Sequence, residues 1–187
     1  MKKYIRAMVC IPFTLIKFNF IKVFHFKGFK FPLLSLISPI TEIELGRKSE
    51  LVLKKMVRIK SGSKIRVRKG ASIRIGENTS LNHGCMLTSH ERILIGDNVQ
   101  LGPNVLIYDH DHNFRKKDGL KNLEYNSTAV EIGNNVWIGA NVVVLRGTKI
   151  GDNCVVGAGV TLQGEYEKNT IILGKREIFT KKFSLDS

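Results

Sequence analysis

The chain is poor in cysteine, tryptophan and proline, and its first 31 residues contain no acidic side chain. Its three cysteines, Cys10, Cys85 and Cys154, stand at scattered positions without a Cys-x-x-Cys pair. That odd, dispersed set argues against a disulfide framework or a cysteine zinc site and fits a reducing, cytoplasmic setting. No run of about 18 apolar residues survives near the N-terminus, because Pro12, Lys17, Asn19, Lys22 and His25 interrupt it, so a spanning helix is not expected. No small-residue cleavage site follows the apolar stretch, which argues against a signal peptide.

What remains is 187 residues with 43% apolar content, enough for one domain with its own core. The net charge of +14 is unevenly placed. Residues 1–70 hold 17 Lys/Arg against Glu42, Glu44 and Glu50, while residues 71–187 hold 13 of each sign. Residues 1–31 combine seven Lys/Arg with eight Phe or Tyr, a composition suited to an anionic membrane surface or a polyanionic acceptor. A helix there that covers one end of the domain, with Phe13, Ile16, Phe20 and Phe24 as its buried face, is the competing expectation. Both stand open at this point.

From residue 75 onward the chain keeps a period of six. IGENTS (75–80), LNHGCM (81–86) and LTSHER (87–92) are followed, after a two-residue slip, by IGDNVQ (95–100), LGPNVL (101–106) and IYDHDH (107–112). A second block runs IGNNVW, IGANVV, VLRGTK, IGDNCV, VGAGVT and LQGEYE over residues 132–167. Each hexad opens on an aliphatic residue, with Gly, Asn or Asp placed to support a turn, so three hexads make one triangular coil of a parallel β-solenoid. Amphipathic helices need an apolar residue every three or four positions, and long pleated strands need sustained alternation; neither period is kept. Residues 42–64 read as further, degenerate coils. Ile107 to Ile132 is 25 residues instead of six, so about 19 residues leave a corner immediately after the cluster His110, Asp111, His112. The expected organisation is a basic, aromatic-rich segment at 1–40, a β-helix at 41–174 with loop 113–131, and a tail at 175–187.

Residues 75–175 resemble the hexapeptide-repeat acyltransferases, and within them the maltose, galactoside, nodulation-factor and capsule O-acetyltransferases. The resemblance rests on IGDNVQLGPNVLIYDHDH, on the long loop ending in Glu124-Tyr125, and on VEIGNNVWIGANVVVLRGTKIGDNCVVGAGV (130–160). It implies an all-β, left-handed parallel β-helix, although general topology favours right-handed crossovers. It also implies a homotrimer whose active sites lie between subunits, acetyl-CoA as donor, a sugar or glycan hydroxyl as acceptor, and no metal.

In that family a loop-corner histidine about 25 residues before the Trp of VWIG is the general base, which selects His112 and leaves His110 flanking the site as a substrate-binding residue. Imidazole has the pKa for taking a proton from an alcohol as the thioester is attacked. Glu124 matches the carboxylate that orients this histidine, although its spacing to Ile132 is one residue longer than the family's. Asn82 matches an acceptor-binding asparagine. Ser89 stands where the subgroup has an aspartate for its sugar, which departs from a maltose or galactoside acceptor. Trp137, Gly139 and Ala140 match the wall along the pantetheine arm, and Gly157 and Ala158 allow close cofactor approach one coil on. Lys175 and Arg176 stand where CoA phosphates would be met, without the proline of the family's ending.

Asp109 and Asp111 read as turn formers. No cysteine falls at a nucleophile position, so direct transfer is expected in place of a covalent intermediate. An N-acetyltransferase for an amino-sugar nucleotide is the nearest alternative. A carbonic-anhydrase-like zinc enzyme using His83, His90, His110 and His112, and a non-catalytic scaffold, are more distant ones. Nucleic acid is not an expected partner, because the repeats from residue 71 onward are neutral overall. The expected setting is cytoplasmic, with peripheral contact at the inner face of a membrane through residues 1–31.

Overall fold

A computed structural model describes residues 2–32 and 35–175, with side chains from Ile11 onward. One helix, α1 (Lys2–Phe24), precedes a stack of short parallel strands that form three sheets, one for each side of a triangular prism. The first face runs from Phe29–Lys30 to Glu165–Tyr166, the second from Leu36–Ile37 to Ile171–Ile172, and the third from Glu42–Leu45 to Thr161–Leu162. Within these three sheets successive strands of the chain fall on successive faces, so each pairs with one a whole coil away. This is the β-solenoid that the hexads predict.

Register gives the size of each coil. Leu51 pairs with Ile73 and Ile65 with Leu87, 22 residues on; Leu81 pairs with Leu101, 20 on. Ile138 pairs with Val156, 18 on, and Val156 with Ile172, 16 on. The step across the excursion, from Ile107 to Val144, is 37. Wide coils use four-residue strands such as Glu50–Leu53 and Ser72–Ile75, whose period of two turns two residues inward. Narrow coils use two-residue strands with one inward residue, as in Trp137–Ile138. Leu51, Ile73, Ile93 and Val130 form one continuous buried file, and Leu81, Leu101, Ile138 and Val156 another.

The corners carry their own ladder. Asn78, Asn98, Asn135, Asn153 and Asn169 all adopt positive φ, between 54° and 61°. Each side-chain amide donates to the carbonyl oxygen of the next asparagine at 3.0–3.1 Å. Asparagine tolerates this left-handed backbone and gains a partner from it. Met56 holds the same corner in the coil before, at φ 59°, without an amide to offer.

Helix α1 lies against the first coil. Thr14 Oγ1 donates to the Ile37 carbonyl at 2.9 Å, and Lys17 donates to the carbonyls of Pro39 and Thr41. Phe18 is fully buried, edge-on to both Phe29 and Phe31 at 5.0 Å. The inward face is therefore Thr14, Phe18 and Ile21, which corrects the expectation for Phe13, Ile16, Phe20 and Phe24: those four point to solvent. At 100° per residue the two sets are centred about 120° apart round the helix, and the interlocked Phe18, Phe29 and Phe31 rings select which side docks. The segment assigned to the N-terminal cover also supplies the first coil's own strands, Phe29–Lys30 and Leu36–Ile37, so the solenoid starts about 12 residues before residue 41. Among the described residues no helix is long and apolar enough to cross a membrane.

Candidate active site

The excursion leaves the third face at Asp109. His110–His112 pairs antiparallel with Tyr125–Ser127, matching His110 with Ser127, Asp111 with Asn126 and His112 with Tyr125. The arm therefore starts three residues earlier than the hexad period gives. Alternation along the short strand places His110 and His112 on one side and Asp111 on the other. Asp111 meets the Arg146 guanidinium, whose Nη1 also reaches Thr128 Oγ1 at 3.4 Å. Asp111 thus anchors the arm to the next coil, which is more than a turn former does.

On the other side, the rings gather. His90 stacks on His110 with centroids 3.9 Å apart and on Tyr125 at 4.1 Å; His112 lies 4.7 Å from Tyr125. Beneath them Asp109 is fully buried. Its carboxylate accepts from the Ser89 hydroxyl at 2.7 Å and from the His90 and Glu91 backbone N–H groups at 2.8 Å each, and it sits 3.2 Å from His110 Nδ1. Burial pushes its pKa up, but these hydrogen bonds together outweigh burial and hold it below the ordinary carboxylate value. Asp109 is the residue that sequence reasoning underrated. The available signal was parity: two positions after the inward-facing Ile107, residue 109 must also point inward.

Burial lowers the pKa of His90 to about 4, aided by His110 and opposed by Asp109. His90 is therefore neutral near pH 7 and serves as an aromatic platform for His110.

The expected site residues separate into groups. His110 and His112 share the excursion with Glu124, but the Glu124 carboxylate pairs with Lys116 Nζ at 2.8 Å. A cavity of about 240 Å³ next to His112 is lined by Asp111, Asn113, Phe114, Arg115, Asn126 and Arg146. Ser89 is buried under Asp109 and is a structural partner of that carboxylate. Asn82 sits at the corner between the second and third faces, where its Oδ1 accepts from the His83 N–H at 2.9 Å. Trp137 is on the second face, 59% exposed, beside the coil step where Ala140 follows. A Cβ on Gly139 would stand 2.6 Å from the Ala158 nitrogen, so close coil stacking already requires glycine there. Gly157 and Ala158 lie one coil on, and Lys175 is exposed at the last described position; Arg176 lies outside the described residues.

The histidine corner, between the third and first faces, and the Trp137 wall, on the second, are thus on different sides of one prism. Among the described residues no group of three or more His, Cys, Asp or Glu is placed to hold a metal ion. Cys85 and Cys154 are buried, and burial raises the Cys85 thiol, which makes its thiolate harder to form.

A triangular parallel solenoid, with asparagine and glycine corners and one histidine-bearing arm, defines a hexapeptide-repeat protein. The model for "Bacterial transferase hexapeptide (six repeats)" matches residues 129–164. The chain is 36% identical over 117 residues to a putative lipopolysaccharide biosynthesis O-acetyl transferase of Escherichia coli K12, covering 57% of this chain and 59% of that protein. The crystal structure of a maltose O-acetyltransferase from Clostridium difficile 630 is 33% identical with a TM-score of 0.57, over 72% of this chain and 66% of the other. A galactoside acetyltransferase solved in complex with coenzyme A is 32% identical with a TM-score of 0.54, over 66% of this chain and 67% of the other. The chain belongs to the hexapeptide-repeat transferase family. It spans 59% of the length of the curated Escherichia coli relative.

Proposed function

We propose that this chain is an acetyl-CoA-dependent O-acetyltransferase that acylates a sugar hydroxyl of a surface polysaccharide or lipid-linked glycan precursor, in the cytoplasm at the inner face of a membrane. The observation that carries this reading is the histidine corner. Two imidazoles are fixed on one side of a short antiparallel arm, stacked on Tyr125 and His90 and backed by a buried carboxylate. The relatives named above include a maltose O-acetyltransferase, a galactoside acetyltransferase solved with coenzyme A, and a protein named as an O-acetyl transferase of lipopolysaccharide biosynthesis.

In this mechanism His112 takes the acceptor hydroxyl proton while the sugar oxygen attacks the thioester carbonyl, and the thiolate of CoA leaves with a proton. Glu124, adjacent in sequence to the Tyr125 that stacks on His112, is the candidate to orient the ring once Lys116 releases it. His110, held by Asp109, keeps the arm in place. Because the histidine corner and the Trp137 wall lie on different faces, a complete site takes one from each of two copies, which fits a trimer. Trp137, Gly139, Ala140, Gly157 and Ala158, with Lys175 and Arg176, form the proposed CoA side, and Asn82 the acceptor side.

Thiol release from acetyl-CoA, followed with a panel of sugars, amino sugars and lipid-linked sugars after chelation, tests this reading. A loss of about 10²-fold or more in His112→Ala supports it, as expected for removal of a general base. Full activity in that variant removes His112 from the role.

A further inference from the structure

Docking of α1 leaves an apolar surface outside. Phe13, Ile16, Phe20, Val23 and Phe24 are between 49% and 75% exposed, and Phe26 and Ile40 beside them are 74% and 72% exposed. On a helix of 100° per residue the first five fall within one arc of roughly 100°, directly opposite Phe18. Phe20 and Phe24 touch edge-on at 5.3 Å, which makes a continuous ridge. Next to the ridge, a shallow hollow of about 330 Å³ is walled by Phe13, Ile16, Lys17, Phe20 and Pro39. Scattered exposed side chains are ordinary, but a contiguous aromatic stripe of this extent marks an interaction surface.

The charge around this surface identifies its partner. The chain up to Thr41 carries seven Lys/Arg and no Asp or Glu. Lys27 is exposed beyond the stripe and Lys22 lies 5.8 Å over the Phe31 ring, at the end of the helix where the apolar arc ends. The nearest acids, Glu42 and Glu44 on the strand whose Ile43 and Leu45 adjoin Phe20 and Phe24, are paired with Lys64, Arg66 and Arg68. A helix with one face locked to a folded domain, the other apolar and aromatic, and no acidic residue of its own matches the acyl-chain and headgroup boundary of an anionic bilayer. Among the described residues no helix is long and apolar enough to cross a membrane, so α1 would lie in the plane of the interface.

We propose that α1 is a bifunctional element: Thr14, Phe18 and Ile21 close the end of the solenoid, and Phe13, Ile16, Phe20, Val23 and Phe24 seat the protein on an anionic lipid surface. This inference stands apart from the acyl-transfer reading, because lipid binding is measured without turnover.

The test is flotation of the full chain with vesicles of phosphatidylethanolamine and phosphatidylglycerol, compared with vesicles of phosphatidylcholine. The native chain is expected to float with the anionic vesicles and to favour them over the neutral ones. The double variant Ile16→Ser/Phe20→Ser removes two side chains that the core does not use, so its melting temperature should stay near native, and its partition should fall about tenfold or more. Thr14→Val, on the buried face, should bind as native and serves as the control for general perturbation of the helix. A native chain that stays soluble with both vesicle types, or that floats equally with both, overturns the proposal. So does a double variant that floats as well as native. If the double substitution instead lowers the oligomeric mass while native protein fails to float, the stripe is a contact between copies and the proposal fails.

Discussion

The coils before the excursion and those after it solve the same packing problem with different numbers of residues. Upstream, 22-residue coils place two inward side chains on a strand, as with Leu51 and Leu53 or Ile73 and Ile75. Downstream, 18-residue coils place one, as with Ile138, Val144 and Val156. The wide coils also tie their outer surfaces together with ion pairs, Arg66 to Glu42 and Arg74 to Glu50, at 2.7 and 2.9 Å. The asparagine ladder runs through both sections, from Asn78 to Asn169, and the narrow coils carry the Lys149–Glu165 pair at 2.7 Å. The lesson is that cross-section is adjustable coil by coil as long as the axial register is kept, which is what allows a 19-residue arm to be inserted where the width changes.

Truncation should break the comparison most sharply in the wide section. Ile73→Ala empties space between two buried neighbours, Leu51 and Ile93, and is expected to cost about 3 kcal/mol in denaturant unfolding, against about 2 kcal/mol or less for Val156→Ala, which deletes less volume. A steric test comes next. In Gly96→Ala the new Cβ would lie 2.5 Å from the Gly133 carbonyl oxygen, so a loss of about 2 kcal/mol is expected; Gly70 in a wide coil has nothing within 4 Å of that position. Because Gly70 sits at φ 75°, Gly70→Asn keeps a tolerated backbone and should cost far less.

The ladder then gives two opposite changes. Asn135→Ala removes an amide bonded on both sides and puts a poorly suited residue at positive φ, for an expected loss of about 1–2 kcal/mol. Met56→Asn extends the same ladder one coil into the wide section and should raise stability by about 1 kcal/mol, read as a higher thermal midpoint. The last effect is in pH. His90 has a folded pKa of about 4, below its ordinary 6.5, so the folded chain binds fewer protons between those values. Stability from this group is present above about pH 6.5 and is lost as pH falls towards 4. His90→Gln should flatten that part of the profile measured by thermal melts.

This contrast also explains what the sequence disclosed. The narrow coils step six residues from one inward position to the next, as in Ile132, Ile138, Val144, Ile150, Val156 and Leu162, and every one of these is buried. In the wide coils the steps are longer: Ile43 to Leu51 and Leu51 to Ile59 are eight each, so a search for hexads sees only fragments there. The two-residue slip before Ile95 is the four-residue strand Arg92–Ile95. For the site, the arm was legible from its length, and the histidines from their type. The buried Asp109 network was hidden because an aspartate in a corner motif is ordinarily a turn former, and three of its four partners, Ser89, His90 and Glu91, lie 18–20 positions away in sequence, only His110 being its neighbour. The orientation of α1 was hidden because both of its faces are apolar.

The ladder of parallel coils also sets a height. On the third face Ile43, Ile65, Leu87 and Ile107 are stacked one above another from the first coil to the point where the arm departs. Three ladder spacings therefore separate the helix-bearing end from the histidine corner, roughly 14 Å of rigid post. A bilayer seated on α1 would meet the histidines only through molecules that rise about that far from its surface. If both proposals hold, the prism would act as a gauge, selecting acceptors by how far their hydroxyls stand above the lipid as well as by their shape.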